Sequence, residues 1–233
     1  MRILKKIAQE WKNRMFEITA QVSLIKDSVV NDVPYVSQFA TPEFAERILK
    51  DKVPKESDPA WQTVGAVSPE EYSKWVTTQC GMACTAMVLE HYGKEAPGIT
   101  TLAKDAFAHG VYQELGDELS GMRYQEFCEW VTKHDLEARF FTRLSLRGIQ
   151  YALSQGGLVI ASVSPNIRGY NTAPASQIGG HLVLITGYDL SNSTITINNP
   201  SGFISTNTHK AHTLSVTDFL HHYAHRGIIL SLQ

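Results

Sequence analysis

The spacing of apolar residues changes part way along this 233-residue chain. Up to about residue 133 they recur every three or four positions, as on one face of a helix. From residue 136 onward, short apolar and β-branched runs separated by turn residues point to strands. Ile3, Leu4, Ile7, Ala8, Trp11, Met15, Phe16 and Ile18, with charges between them, predict an amphipathic helix within an N-terminal extension over residues 1–30. Such a helix is expected to pack on the body of the protein or on a second copy; a membrane-surface or partner role is the less economical alternative. Pro34 keeps Val33 extended in Val33-Pro34-Tyr35-Val36-Ser37-Gln38.

Two helices joined by a polar loop are predicted over 41–79. The loop is punctuated by Pro54, Pro59 and Gly65, and the second helix opens on a capping box formed by Ser68 and Glu71. A helix over 80–92 is apolar on most sides and stops at Gly93. Further helices are expected near 99–109, 120–133, 145–155 and 216–223, with strands at 136–141, 157–163, 181–189, 194–198 and 227–232. Helices first and an antiparallel-looking sheet second make the class α+β.

Composition is that of a globular protein, 43% hydrophobic and 19% charged, and the net charge of -2 offers no nucleic-acid footprint. No apolar run reaches the length of a signal peptide or a membrane span. Cys80, Cys84 and Cys128 are too few for a disulfide framework and suit a reducing compartment, so a cytoplasmic location is expected.

The candidate chemistry lies at element ends. Cys80 begins the 80–92 helix, where unpaired N–H groups and the helix dipole favour a thiolate. His181 follows two glycines at the start of a strand and is a candidate general base. Asn199 closes the next strand on the same face as Ile195 and Ile197 and is a candidate to orient the imidazole, with Asn198 as runner-up. Cysteine on a helix N-terminus, then histidine, then asparagine is a papain-like order. Cys84, one turn deeper, is expected to be core. His209, His212, His221, His222 and His225 match no common zinc spacing, and neither a metal nor another cofactor is expected.

Taken together, Val33-Pro34-Tyr35-Val36-Ser37-Gln38, Cys80-Gly81-Met82-Ala83 and Gly180-His181-Leu182-Val183-Leu184-Ile185-Thr186-Gly187-Tyr188-Asp189 followed by Asn199-Pro200 resemble the papain-like peptidases related to the bacteriocin-leader-processing (double-glycine) family. The resemblance covers about residues 33–38 and 80–230. It implies a helical lobe carrying the nucleophile helix, packed on an antiparallel sheet lobe, within one catalytic domain over 31–233. It also implies that Gln38 donates to the oxyanion alongside the Cys80 backbone N–H, with Gln79 as the nearer alternative by sequence.

Two departures stand out. Asn occupies the position where that family usually has Asp, and a helical insertion at about 39–79 separates Gln38 from Cys80. The insertion's Pro-punctuated loop, about 52–64, is expected to shape substrate access more than stability.

The function expected is that of a cysteine peptidase or related thiol-dependent acyl-transfer hydrolase acting on a peptide or protein substrate. The alternatives are a transglutaminase- or deamidase-type acyl transferase, a catalytically inactive papain-like binding module, and a redox or metal protein built on Cys80 and Cys84. Self-association is expected to run through the N-terminal helix.

Overall fold

The computed structural model describes residues 2–116, 118–169 and 176–233. The chain opens with α1 (Arg2–Val22) and a short strand β1 (Ser28–Val30). Then come α2 (Phe44–Leu49), α3 (Pro69–Trp75), α4 (Cys80–His91) and α5 (Ile99–Ala108), a hairpin of β2 (Glu114–Leu115) and β3 (Glu118–Leu119), and α6 (Tyr124–Trp130). The second half runs β4 (Leu136–Phe141), α7 (Leu146–Ser154), β5 (Leu158–Val163), β6 (His181–Asp189), β7 (Thr194–Asn198), β8 (His212–Ser215), α8 (Val216–His222) and β9 (Tyr223–Leu232).

The main sheet is antiparallel throughout, in the order β4-β9-β5-β6-β7-β8, and β1 pairs with the far end of β6. Fold class is α+β, as expected. No described helix is long and apolar enough to cross a membrane.

Local chemistry accounts for these boundaries. Ser68 caps α3 by accepting from the Glu71 N–H at 3.2 Å, and the Glu71 carboxylate reaches back to the Val67 N–H at 2.7 Å, one residue beyond the N-cap amide of a standard capping box. Ser145 and Ser215 cap α7 and α8 in the same way. Residues Cys80 to Leu89 of α4 are all buried, so this helix is a core element with apolar neighbours on every side. Strands β5 and β6 are buried on both faces, which explains their unbroken apolar runs.

Four short strands escape the sequence pattern. β1 is only Ser28–Val30, and the β2–β3 hairpin has two residues per strand. β8, at the sheet edge, is polar on both faces except for Leu214. Strand β9 begins at Tyr223, four residues before the apolar run that signals it, because Tyr223 pairs with Val163 beyond an irregularity that takes in residues 224–226. The extended segment around Val33–Gln38 forms no strand and is held by single bonds, including Gln38 N–H to the Pro200 carbonyl at 2.8 Å.

The segment over 52–64 differs from the free polar loop the sequence suggests. It contains two 3₁₀ turns, Lys55–Ser57 and Trp61–Val64. Between them Asp58, fully buried, accepts from Thr41 N–H (3.1 Å), Thr41 Oγ1 (2.6 Å), Tyr72 Oη (2.6 Å) and Ala60 N–H (3.2 Å). Around this hub Phe39, Ala45, Ile48, Ala66, Tyr72, Val76 and Phe203 form a small second core. Losing the carboxylate leaves several buried donors without an acceptor. Asp58→Ala is therefore expected to cost about 3 kcal/mol, read as a melting temperature lower by roughly 6–12 °C. An unchanged melt would show that the hub carries no stability.

Candidate functional site

Cys80 is the first residue of α4, following Gln79 as N-cap. Gln79 is fully buried and locked: its amide nitrogen donates to the Gln38 carbonyl at 2.9 Å, and its amide oxygen accepts from Thr100 Oγ1 at 3.0 Å. Held at both its amide nitrogen and its amide oxygen, Gln79 positions the turn before Cys80. The Cys80 thiol receives backbone hydrogen bonds from Leu182, Gly81 and Cys80 itself.

His181, the first residue of β6, lies beside this helix start. Gly179 and Gly180 precede it with φ of +93° and +96°, a conformation that L side chains rarely adopt. A Cβ at Gly179 would stand 2.5 Å from the Arg226 guanidinium, so the bend and its close packing both call for glycine there. Cys80 and His181 line one cleft of about 580 Å³, together with Thr77, Thr78, Leu119, Met122, Tyr124, Phe140, Leu182 and Arg226. Met122, Tyr124 and Phe140 give the cleft apolar lining, and Arg226 adds a cation to it.

The imidazole is held through Nε2. Asn199 Oδ1 lies 2.8 Å from it and Ser201 Oγ 3.0 Å, while the Ser201 N–H donates to Asn199 Oδ1 at 3.2 Å. A carbonyl oxygen can only accept, so the Asn199 contact calls for a proton on Nε2 and leaves Nδ1 as the basic nitrogen. Asn198 faces elsewhere: its amide donates to the Val33 carbonyl at 3.2 Å and its oxygen accepts from the Ala211 N–H at 2.8 Å.

Cys84 is fully buried, its thiol directed to the Leu182 carbonyl at 3.9 Å. Gln38 is buried too. Its amide nitrogen donates to the Val76 carbonyl at 2.8 Å, its oxygen has no partner among the described atoms, and it does not line the cleft. The structure thus sets Cys80 and His181 on one cleft and joins Asn199 to His181, while the buried Gln38 and Gln79 are not among the residues that line it.

The sequence gives no hint of Arg168. It sits in a 3₁₀ turn (Pro165–Arg168), is only 6% exposed, and donates through Nε to Ser201 Oγ at 2.7 Å and to the Ser201 carbonyl at 3.2 Å. Its guanidinium is thereby one side chain removed from His181 Nε2. Burial lowers its pKa to about 10, with the Cys80 thiol acting in the opposite sense. Neither Arg168 nor Ser201 lies in a motif, and only the folded chain joins them to the histidine.

The electrostatic balance differs from the thiolate expected of a helix N-terminus. Burial pushes the Cys80 thiol up, opposed by the Leu182 backbone bond, the Arg168 charge and the two helix-start amides. Burial also drives His181 well below the usual imidazole range, reinforced by Arg168 and opposed by the Asn199 bond. Both shifts oppose a thiolate–imidazolium pair, burial acting on each group against the pull of the helix start.

A family model described as "Peptidase_C39 like family" matches residues 30–228. No curated protein matches the chain. Two solved structures are similar at low identity. One is the peptidase domain of Streptococcus ComA, a bi-functional ABC transporter involved in a quorum sensing pathway (19% identity, 67% of this chain and 93% of that one, TM-score 0.46). The other is a double glycine motif protease from an AMS/PCAT transporter in complex with the leader peptide (16% identity, 88% and 95%, TM-score 0.47). With the match running from β1 into β9 and enclosing the whole cleft, the chain belongs to the C39-like peptidase family and is a cysteine peptidase-like hydrolase.

Proposed function

We propose that the chain cleaves peptide bonds by acyl transfer to Cys80, with His181 as general base and Asn199 as its orienting partner. The observation that carries this reading is the 2.8 Å contact between Asn199 Oδ1 and His181 Nε2, in a ring that shares a cleft with the Cys80 thiol. With Nε2 occupied, Nδ1 takes the thiol proton as sulfur attacks the substrate carbonyl. The imidazolium then returns that proton to the departing amine, and a water deprotonated by the same nitrogen releases the acyl group. The Cys80 backbone N–H is one oxyanion donor. The Gln38 amide is the proposed second, since its nitrogen has a further hydrogen beyond the one given to Val76.

Arg168 holds Ser201 against the imidazole edge and disfavours its protonation before substrate arrives. We place the catalytic domain at 31–233, with 39–79 as an insertion built on its own small core and 1–30 as an extension. Three unpaired cysteines accord with a reducing, cytoplasmic setting. A peptide substrate accords with the leader peptide bound by the transporter protease.

Alkylation by iodoacetamide, mapped by mass spectrometry across a pH series, tests the nucleophile assignment. Cys80, at the cleft, is expected to react ahead of fully buried Cys84 and of Cys128, whose thiol burial pushes up to about 12. Because the Cys80 thiol is raised and His181 lowered, the rate should climb through and above the ordinary thiol range near pH ~8.5. Equal labelling of Cys84 would contradict the assignment. A rate already at its plateau in mild acid would contradict a raised Cys80 thiol.

A further inference from the structure

One face of α1 seats on the body. Asn13 donates to the Phe140 carbonyl at 2.8 Å and accepts from Arg139 Nε at 2.8 Å. Glu17 takes both the Ser145 N–H (3.0 Å) and its hydroxyl (2.6 Å) at the start of α7. Arg147 donates to the Ala20 and Ser23 carbonyls, and the Phe16 ring packs on Phe141 and Tyr151.

The opposite face is apolar and open: Leu4, Ile7, Trp11, Met15, Ile18 and Val22 are 71, 56, 65, 42, 49 and 79% exposed. At 100° per residue they fall within an arc of about 80°. Lys12 and Arg14, both exposed, lie on either side of that arc. The helix is already docked through its polar and aromatic side, so the body has no further use for the stripe. Single exposed apolar residues are ordinary, but six aligned along one helix call for a partner.

Charge selects that partner. Residues 2–22 hold five basic and two acidic residues, a net of +3 in a chain of net -2, so the remaining residues carry -5. One of the two acids, Glu17, faces the body. A second copy of the helix would set +3 against +3. The stripe also repeats every eleven residues (Leu4 and Met15, Ile7 and Ile18, Trp11 and Val22).

An apolar strip with a central tryptophan, flanked by cations, is the pattern of a helix lying in a membrane interface. We propose that α1 docks flat on an anionic lipid bilayer, its stripe at the boundary of headgroups and acyl chains and Lys12 and Arg14 among the headgroups. Phe140 connects the two surfaces, since its carbonyl holds Asn13 and its side chain lines the Cys80 cleft. Docking would therefore hold one wall of the cleft beside the membrane. This inference stands on α1 alone and does not depend on the catalytic reading.

Flotation of the full chain with vesicles tests it. Vesicles of phosphatidylcholine and phosphatidylglycerol in equal parts should carry the wild-type chain, and phosphatidylcholine alone should bind at least about tenfold more weakly. Raised salt should weaken the binding. Ile7→Ser with Trp11→Ser, and separately Lys12→Glu with Arg14→Glu, should each reduce binding at least about tenfold with unchanged melting temperatures, because all four side chains point away from the core. The proposal is overturned if the wild-type chain does not float, or if it floats equally well with both stripe residues replaced. It is also overturned if light scattering without lipid shows a dimer that Trp11→Ser dissolves, which would give the face to a second copy.

Discussion

Cys80→Ala is expected to lower peptide hydrolysis by on the order of 10⁵-fold while the protein melts normally, because loss of the nucleophile from a coupled pair removes nearly all chemical catalysis. Cys84→Ala is the informative control. It lies one turn along the same helix, fully buried, with its thiol committed to the Leu182 carbonyl. Its replacement should cost about 1 kcal/mol of stability through a small cavity and leave activity readily measurable. Progress curves on any cleaved peptide, read beside thermal melts, distinguish the two variants. Equal loss of activity in both with normal melts would remove Cys80 from its role.

His181→Ala is expected to have the next largest effect, a loss of about 10³- to 10⁴-fold in kcat, since it removes the group that takes and returns the proton. Asn199→Ala should cost less, roughly ten- to a hundred-fold, because it orients the ring without exchanging protons. The structure supplies a reason for the smaller figure. Ser201 Oγ lies 3.0 Å from the same Nε2 and remains as an acceptor when the amide is removed. Asn198→Ala should instead lower the melting temperature, since that side chain links the Val33 carbonyl to the Ala211 N–H. If Asn198→Ala damages kcat more than Asn199→Ala does, the assignment of the orienting residue is wrong.

The contrast between these two asparagines shows what the sequence can convey. Alternation along Ile195, Ile197 and Asn199 put Asn199 on the core-facing row, and in the structure it meets His181 Nε2. Long periodic elements were equally legible: β4, β6 and β7 have the bounds expected from their apolar runs, and α4 declares itself by being apolar all round. What the sequence could not convey depends on tertiary contact. Nothing local marks Arg168 as the residue that grips Ser201, and nothing in a Pro-punctuated polar stretch marks Asp58 as a buried hub.

The helix start favours a Cys80 thiolate, yet burial is the larger influence on both Cys80 and His181, and burial is a property of the fold. The Gln38 side chain, expected on resemblance to serve the oxyanion, gives one amide hydrogen to the Val76 carbonyl, a contact set by the turn before α4, where Gln79 in turn holds the Gln38 carbonyl.

The central claim is that this C39-like chain cuts peptide bonds with Cys80. The most direct measurement incubates a proteome-derived peptide library with the wild-type chain and with Cys80→Ala, and counts new amino termini by mass spectrometry. New termini sharing a common sequence context should appear with the wild-type chain and be absent with Cys80→Ala. The same termini from both proteins, or none from the wild-type chain, would contradict it.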